Sequence, residues 1–492
     1  MINKVYIKTS IIATFFVLLM SGFNNNTQAQ QYNTIYWMQG IPQSVYSNPA
    51  HRTDAGIYIG MPGLSSIYFG FGNDGFKISD LLVNDNSEFY WDEANFLSVL
   101  NDKNLINTDL QMDIIAFGFK YKENNYFNFN FSEKIGMQLG YPKDFMLLLL
   151  EGNNYFLENS ETGTANFDGF GLNVMHYSEF ALGYSRVLNE SFDVGLKAKV
   201  LFGHANTQML VNDFRFVTDP ETFDLGVYHD ITVNSSLPIE IGPIDIHSEE
   251  ENNSEIDIYN VDPLDYGLNT SNLGFSFDIG GIYRIDDNIT LALSVIDLGY
   301  IKWNSGLENY NATGEIEYTG FDAGNLFEYG RRGDGSEEEE ETPEEDVDIT
   351  EELLENVDII YSNDPYSVML SPKFFLSGKY NFSDIHSASL LARGNLYNSK
   401  LYTSYTVAYN IQPIRPVGFS LSYSIINNTY TNIGFGTHLN LYPLQLYIVA
   451  DNIYPAFKPH TLQNATVHIG LNWVLGYREK ADPAKPIHCW SF

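Results

Sequence analysis

FDVGLKAKVLF, residues Phe192 to Phe202, is apolar at every second position. Phe192, Val194, Leu196, Ala198, Val200 and Phe202 share one side, and Asp193, Gly195, Lys197 and Lys199 fall between them. A β-strand turns successive side chains to opposite faces, so the pattern predicts a strand with one dry and one wet face. The dry face needs either the core of a soluble sandwich or lipid.

The same alternation recurs along the chain. In FSFDIGGIYRI, Phe275, Phe277, Ile279, Tyr283 and Ile285 lie on one face, with Ser276, Asp278, Gly280 and Arg284 on the other. Asp286, Asp287 and Asn288 make a turn, and Ile289, Leu291, Leu293 and Val295 line the next strand. FALGYSRVL turns through Asn189 and Glu190 into the opening stretch. LYTSYTVAYNI, VGFSLSYSI, NIGFGTHLNL and VHIGLNWVLGY repeat the pattern toward the C-terminus. Such runs of ~9–11 residues match a tilted strand crossing a bilayer, whereas strands of soluble proteins are mostly ~5–6 residues long. The polar sides hold Gly, Ser and Asn with isolated charges, unlike the Lys- and Glu-rich surface of a soluble sheet. In lipid every backbone polar group needs a partner, so a sheet must close on itself. The fold expected is all-β: an antiparallel transmembrane β-barrel of about 14 strands, with an N-terminal plug-like segment and long extracellular loops.

Composition narrows the function. Aromatic residues make up 15% of the chain, too many for a disordered polymer and well suited to strands at membrane interfaces. The net charge of −36 argues against a nucleic-acid partner. Much of the acidity is local, in Gly333–Asp358 and Ser248–Asp257. Like charges repel and prefer solvent, so both segments read as exposed loops. The larger lacks the alternating ligands and central Gly of an EF-hand loop, and no metal site is assigned. Cys489 is the only cysteine, which excludes an internal disulfide.

Lys4 and Lys8 precede an apolar run from Ile11 to Met20, and Thr27-Gln28-Ala29 resembles a cleavage site. That is the layout of a secretory signal peptide over residues 1–29. The remaining organisation expected is a plug-like region with the first strands over 30–105, the barrel over 106–478 with its acidic loop at 333–358, and a tail over 479–492. Lys77–Leu100, Tyr141–Asn153 and Ile349–Ile359 break the alternation and read as helical or irregular.

No nucleophile elbow, zinc-protease helix or phosphate loop is present, and the ten histidines are scattered. The chain is expected not to be an enzyme and to need no cofactor. Arg332-Gly333-Asp334 is too short a motif to carry an adhesion role. The inward charges Glu179, Lys197, Lys199, Asp278, Arg284, Lys373, Lys379 and Arg393 either pair to stiffen the barrel or line a pathway for ions or substrate.

The segment YSNPAHRTDAGIYIGMPGLSSIYFGFGNDGFKISDLL, Tyr46 to Leu82, resembles the opening of a group of outer-membrane barrels of Bacteroidota. EFALGYSRVLNESFDVGLKAKVLFG and GFSFDIGGIYRIDDNITLALSVIDLGYIKW are similar to hairpins of the same group. These barrels are distantly similar to FadL-type transporters of long-chain fatty acids and to PorV-like barrels of a secretion system. Asn48-Pro49-Ala50 is similar to a triplet of the FadL-type plug. The resemblance implies a barrel with a short N-terminal plug in the outer membrane. Two functions follow as expectations: a passive channel for small molecules, hydrophobic ones included, or a surface scaffold that docks an envelope or secretion partner.

Overall fold

The computed structural model describes residues 32–53, 55–85, 88–240, 257–258, 269–318, 357–397, 400–414, 416–426 and 429–476. The expected signal peptide and C-terminal tail, the Arg332-Gly333-Asp334 motif, residues 248–256 and nearly all of the acidic loop lie outside these residues.

Fourteen antiparallel strands close into a barrel. The first, β1, runs in two pieces, Ile57–Gly60 and Ile67–Asn73. It is followed by β2 (Lys103–Tyr121), β3 (Asn125–Pro142), β4 (Gly171–Asn189) and β5 (Phe192–Thr218). Next come β6 (Leu273–Arg284), β7 (Ile289–Trp303), β8 (Tyr366–Met369 and Lys373–Asn381) and β9 (His386–Tyr397). The last five are β10 (Lys400–Ile414), β11 (Val417–Ile426), β12 (Thr429–Leu441), β13 (Leu444–Ala450) and β14 (Asn464–Leu475). Each pairs with the next, and β14 returns to β1 with Ile67 opposite Ile469 and Ile57 opposite Leu475.

Burial answers the question posed by the opening stretch. Leu196 is 49% exposed, whereas Lys197 and Lys199 are buried. On β6, Phe275, Phe277 and Ile279 are exposed while Ser276 and Asp278 are buried. Apolar side chains outside and charged ones inside invert the order of a soluble sheet, so the dry face meets lipid. The outward stripe from Phe192 to Phe202 is long enough, at ~3.3 Å per residue and a tilt of ~40°, to cover the ~25 Å apolar band of such a barrel. Among the described residues no helix is long and apolar enough to cross a membrane.

One end carries tight turns, such as those between β2 and β3 and between β12 and β13. The other carries the long connections. Several strands are longer than the alternation suggests: β5 has 27 residues. Its far end leaves the wall and pairs with Leu225–Ser236, which in turn pairs with Asn309–Tyr318. Hydrogen bonding to this outer sheet satisfies the extra backbone, so the strand continues beyond the bilayer. Lys77–Leu100 resolves into Ile78–Leu81, a hairpin over Leu82–Asp85 and Glu88–Trp91, and helix α1 (Glu93–Val99). Helices α2 (Lys143–Glu151) and α3 (Asn154–Asn159) follow β3. Phe96, Leu97, Tyr141, Leu147, Phe156 and Phe167 gather these segments into an apolar lobe at the long-loop end.

Candidate functional site

The lumen is occupied from one side by residues 32–53, which bury nearly every side chain. They form turns and a single 3₁₀ segment, Pro42–Tyr46. Irregular backbone at membrane depth is tolerated only where protein or trapped water satisfies it, and the wall supplies the partners. Asp451 accepts from the Thr34 backbone N–H at 2.7 Å, and Trp37 Nε1 donates to Ser377 Oγ at 2.6 Å. Tyr32 Oη donates to Gln111, and Gln43 exchanges hydrogen bonds with Asn472. Thr34 Oγ1 lies 2.7 Å from Ser422 Oγ. These contacts draw on β2, β8, β11 and β14, so the plug is tied around the lumen.

Asn48, Pro49 and Ala50 sit at the centre of this plug. Asn48 Oδ1 accepts from the Ala50 N–H at 2.9 Å, an Asx turn, while Asn48 Nδ2 donates to Tyr36 Oη at 3.1 Å. The turn lies against Gly195 of β5 and Gly280 of β6. A Cβ at Gly195 would fall on the Pro49–Ala50 peptide, and one at Gly280 would fall on Asn48 Oδ1. Two wall glycines therefore make the seat for this triplet. His51, beside it, is fully buried; burial lowers its pKa to about 4, while a hydrogen bond to the Ser44 carbonyl opposes the shift.

On the other side of the plug the lumen opens into a cavity with about 110 Å³ open to the centres of water molecules. That is room for several waters. Glu179, Lys197, Lys199, Asp278, Lys373 and Arg393 all line it. Lys199 is the hub: its Nζ lies 2.7 Å from Asp278 Oδ1, 2.6 Å from Asp297 Oδ1 and 3.6 Å from Glu179 Oε2. Lys373 Nζ reaches the other oxygen of Asp297 at 2.7 Å, and Lys134 Nζ binds Glu179 at 2.6 Å. Lys197 stands over the Tyr46 ring of the plug, 4.5 Å from its centre. Arg393 packs against Phe375.

Two of the eight charges read from the sequence lie elsewhere. Arg284 clasps Asp193 with both guanidinium arms at the tight-turn end, where Arg52 joins at 3.8 Å. Lys379 lies over the Trp37 ring, beside a second small cavity. Alternation gives the face of a residue but not its height along the strand.

Three charged residues of the cavity were not singled out from the sequence: Asp109, Lys134 and Asp297. Asp297 was hidden by a bulge. The β6–β7 register shifts between Phe277 and Ile279, and Asp297 takes a left-handed φ of 61°. Strict alternation from Leu291, Leu293 and Val295 would turn it to lipid, and the bulge turns it inward. Its N–H donates to Asp278 Oδ1 at 2.8 Å. A non-glycine residue held there costs on the order of 1–3 kcal/mol, and such strain persists only where surrounding contacts impose it.

No curated protein matches the chain. Among solved structures it is similar to the toluene transporter TodX of P. putida, at 9% identity and a TM-score of 0.36, over 89% of this chain and 94% of that one. The Ralstonia pickettii toluene transporter TbuX gives 8% and 0.36, over 88% and 94%. A Pseudomonas aeruginosa FadL homologue gives 9% and 0.36, over 89% and 94%. Likeness at this level transfers no substrate to this chain. The model of DUF5723, a family of unknown function, matches residues 49–451, a span that runs from the plug turn to the end of β13, and the chain belongs to that family.

Proposed function

We propose that the protein is an outer-membrane channel for small polar or charged molecules, with residues 32–53 as its gate. The observation that carries this reading is the chemistry of the cavity beside the plug. Five cationic and four carboxylate side chains from the consecutive strands β2 to β9 surround it. Burying an ion costs several kcal/mol even after relaxation, so a lumen that merely needed filling is better served by apolar packing. The same lining disfavours a purely hydrophobic cargo. The leader-like residues 1–29 provide the export route, and lipid surrounds the exposed apolar wall. Kinship with FadL-type and PorV-like barrels of Bacteroidota belongs to this proposal, and no catalysis does.

A second reading, a surface scaffold for an envelope or secretion partner, is favoured by the sheet that Leu225–Ser236 and Asn309–Tyr318 build beyond the wall. Liposome swelling separates the two. Proteoliposomes holding the barrel without residues 32–53 should swell in small zwitterionic or charged solutes and far more slowly in large sugars. Absence of flux from folded, plug-free barrel would remove the channel reading.

A further inference from the structure

We propose that the outer wall of the barrel carries a binding site for a zinc-class divalent ion, formed by Glu133 of β3, His176 of β4 and His204 of β5. Glu133 shares the outward side of β3 with Phe127 and Ile135, which are 37% and 41% exposed. His176 precedes the exposed Phe180 and Leu182 on the outward side of β4. His204 is the extra residue of a bulge, because Tyr177 pairs with Gly203 and His176 with Ala205. The cluster stands 13 residues along β4 from the tight turn at Asn189, on the long-loop side of the exposed Phe180, Leu182 and Tyr184.

The geometry is close to that of a ligand set. His176 Nε2 lies 3.2 Å and His204 Nε2 3.7 Å from the same oxygen, Glu133 Oε2. All the donor atoms fall within 4.8 Å of one another. Around a tetrahedral zinc ion with bonds of ~2.0–2.1 Å, ligand atoms stand roughly 3.4 Å apart. Two edges of that tetrahedron are nearly in place, and side-chain rotation closes the third. Two imidazoles and one carboxylate suit zinc and its neighbours, and leave a fourth position to water. The His204 side chain is fully buried, while those of Glu133 and His176 are 24% and 23% exposed. One ligand is fixed, and the ion has a way in.

Ser178 supports the set. Its hydroxyl donates to Glu133 Oε1 at 2.6 Å and lies 2.7 Å from His204 Nε2. A hydroxyl has one proton, so a Ser178 that donates to Glu133 accepts from His204. In the loaded site Ser178 still orients the carboxylate, and the neutral His204 ring carries its proton on Nδ1. A serine–histidine–acid relay is a poorer description. That relay places the acid on the far ring nitrogen from the serine, whereas Ser178 and Glu133 both approach Nε2 of His204. A bound ion ties β3, β4 and β5 together where the bulge interrupts the β4–β5 ladder.

The test is calorimetric titration of Zn²⁺ into the full-length barrel, purified without a histidine tag and stripped with chelator. One micromolar or tighter site is expected. A folded His176→Ala/His204→Ala variant, judged by heat-shifted gel mobility, should lose it. Glu133→Gln preserves size and carries the test if the double variant does not fold; it should weaken binding at least tenfold. Ser178→Ala, which keeps all three ligands, should weaken it about 10- to 100-fold. Co²⁺ should give a visible absorption band in the parent that is missing in the ligand variants. Absence of such a site, or equal affinity in parent and folded ligand variants, overturns the proposal; equal affinity is the outcome if the acidic segment 333–358 holds the ion instead.

Discussion

Gly195 and Gly280 face each other directly across the β5–β6 ladder, and the Asn48–Pro49 turn of the plug rests on both. Lipid-facing neighbours on the same strands give no reason for glycine here; the plug backbone does. Gly195→Val should unseat the plug without opening the wall. The expected loss is about 1–3 kcal/mol in plug-dependent stability, as for overpacking elsewhere. Limited proteolysis after Arg52 checks it: the variant should be cut readily and the parent slowly.

Lys199 holds Asp278 and Asp297 together at the centre of the lumen. Removing Lys199 leaves Asp278 without its ion-pair partner and Asp297 with Lys373 alone. Lys199→Met should destabilise the barrel by about 3–5 kcal/mol, as for other broken buried pairs. Adding Asp278→Asn should recover most of that loss, because Asp297 keeps Lys373. Urea unfolding in detergent micelles, followed by tryptophan emission, measures both.

The cavity has one more cationic than carboxylate side chain. A plug-free barrel should therefore show a weak preference for anions. Lys373→Glu with Arg393→Glu should reverse it toward cations. The reversal potential across a planar bilayer in a salt gradient gives the sign directly.

His51 makes the plug sensitive to acid. Burial holds its pKa at about 4, below the ordinary 6.5, and nearby Lys379 pushes the same way. Its Nε2 has no hydrogen-bond partner among the described residues. The seated plug therefore favours neutral His51. A histidine with a depressed folded-state pKa contributes its stability above its ordinary pKa. That contribution is lost as the pH falls from about 6.5 toward about 4. Channel openings should become more frequent over that window, and His51→Gln should flatten the dependence.

Much of the fold was legible because lipid imposes two strict rules on the chain: side chains alternate between hydrocarbon and lumen, and no backbone group is left unpaired. Phe275, Phe277 and Ile279 state the first rule plainly. The same rule hid what depends on departures from it. Asp297 falls on the apolar side of any strict count, and only its bulge brings it to Lys199. His204 owes its place to another bulge. Glu133 and His176 are polar residues at outward positions, where a search for inward charges does not look. Arg284 and Lys379 share a face with the lumen cluster but not its height, which depends on strand register. The Asn48-Pro49-Ala50 triplet was visible, whereas the glycines that receive it lie about 150 and 230 positions away in the sequence.

The central claim is that the plug must move for solutes to pass. Thr34 Oγ1 and Ser422 Oγ lie 2.7 Å apart, one on the plug and one on β11. Replacing both with cysteine, in a chain whose single native Cys489 is changed to serine, gives a plug that oxidation can lock to the wall. Solute flux into proteoliposomes should be absent when this pair is oxidised and should return in the same vesicles after reduction. Equal flux in both states, or none in either, would contradict the account.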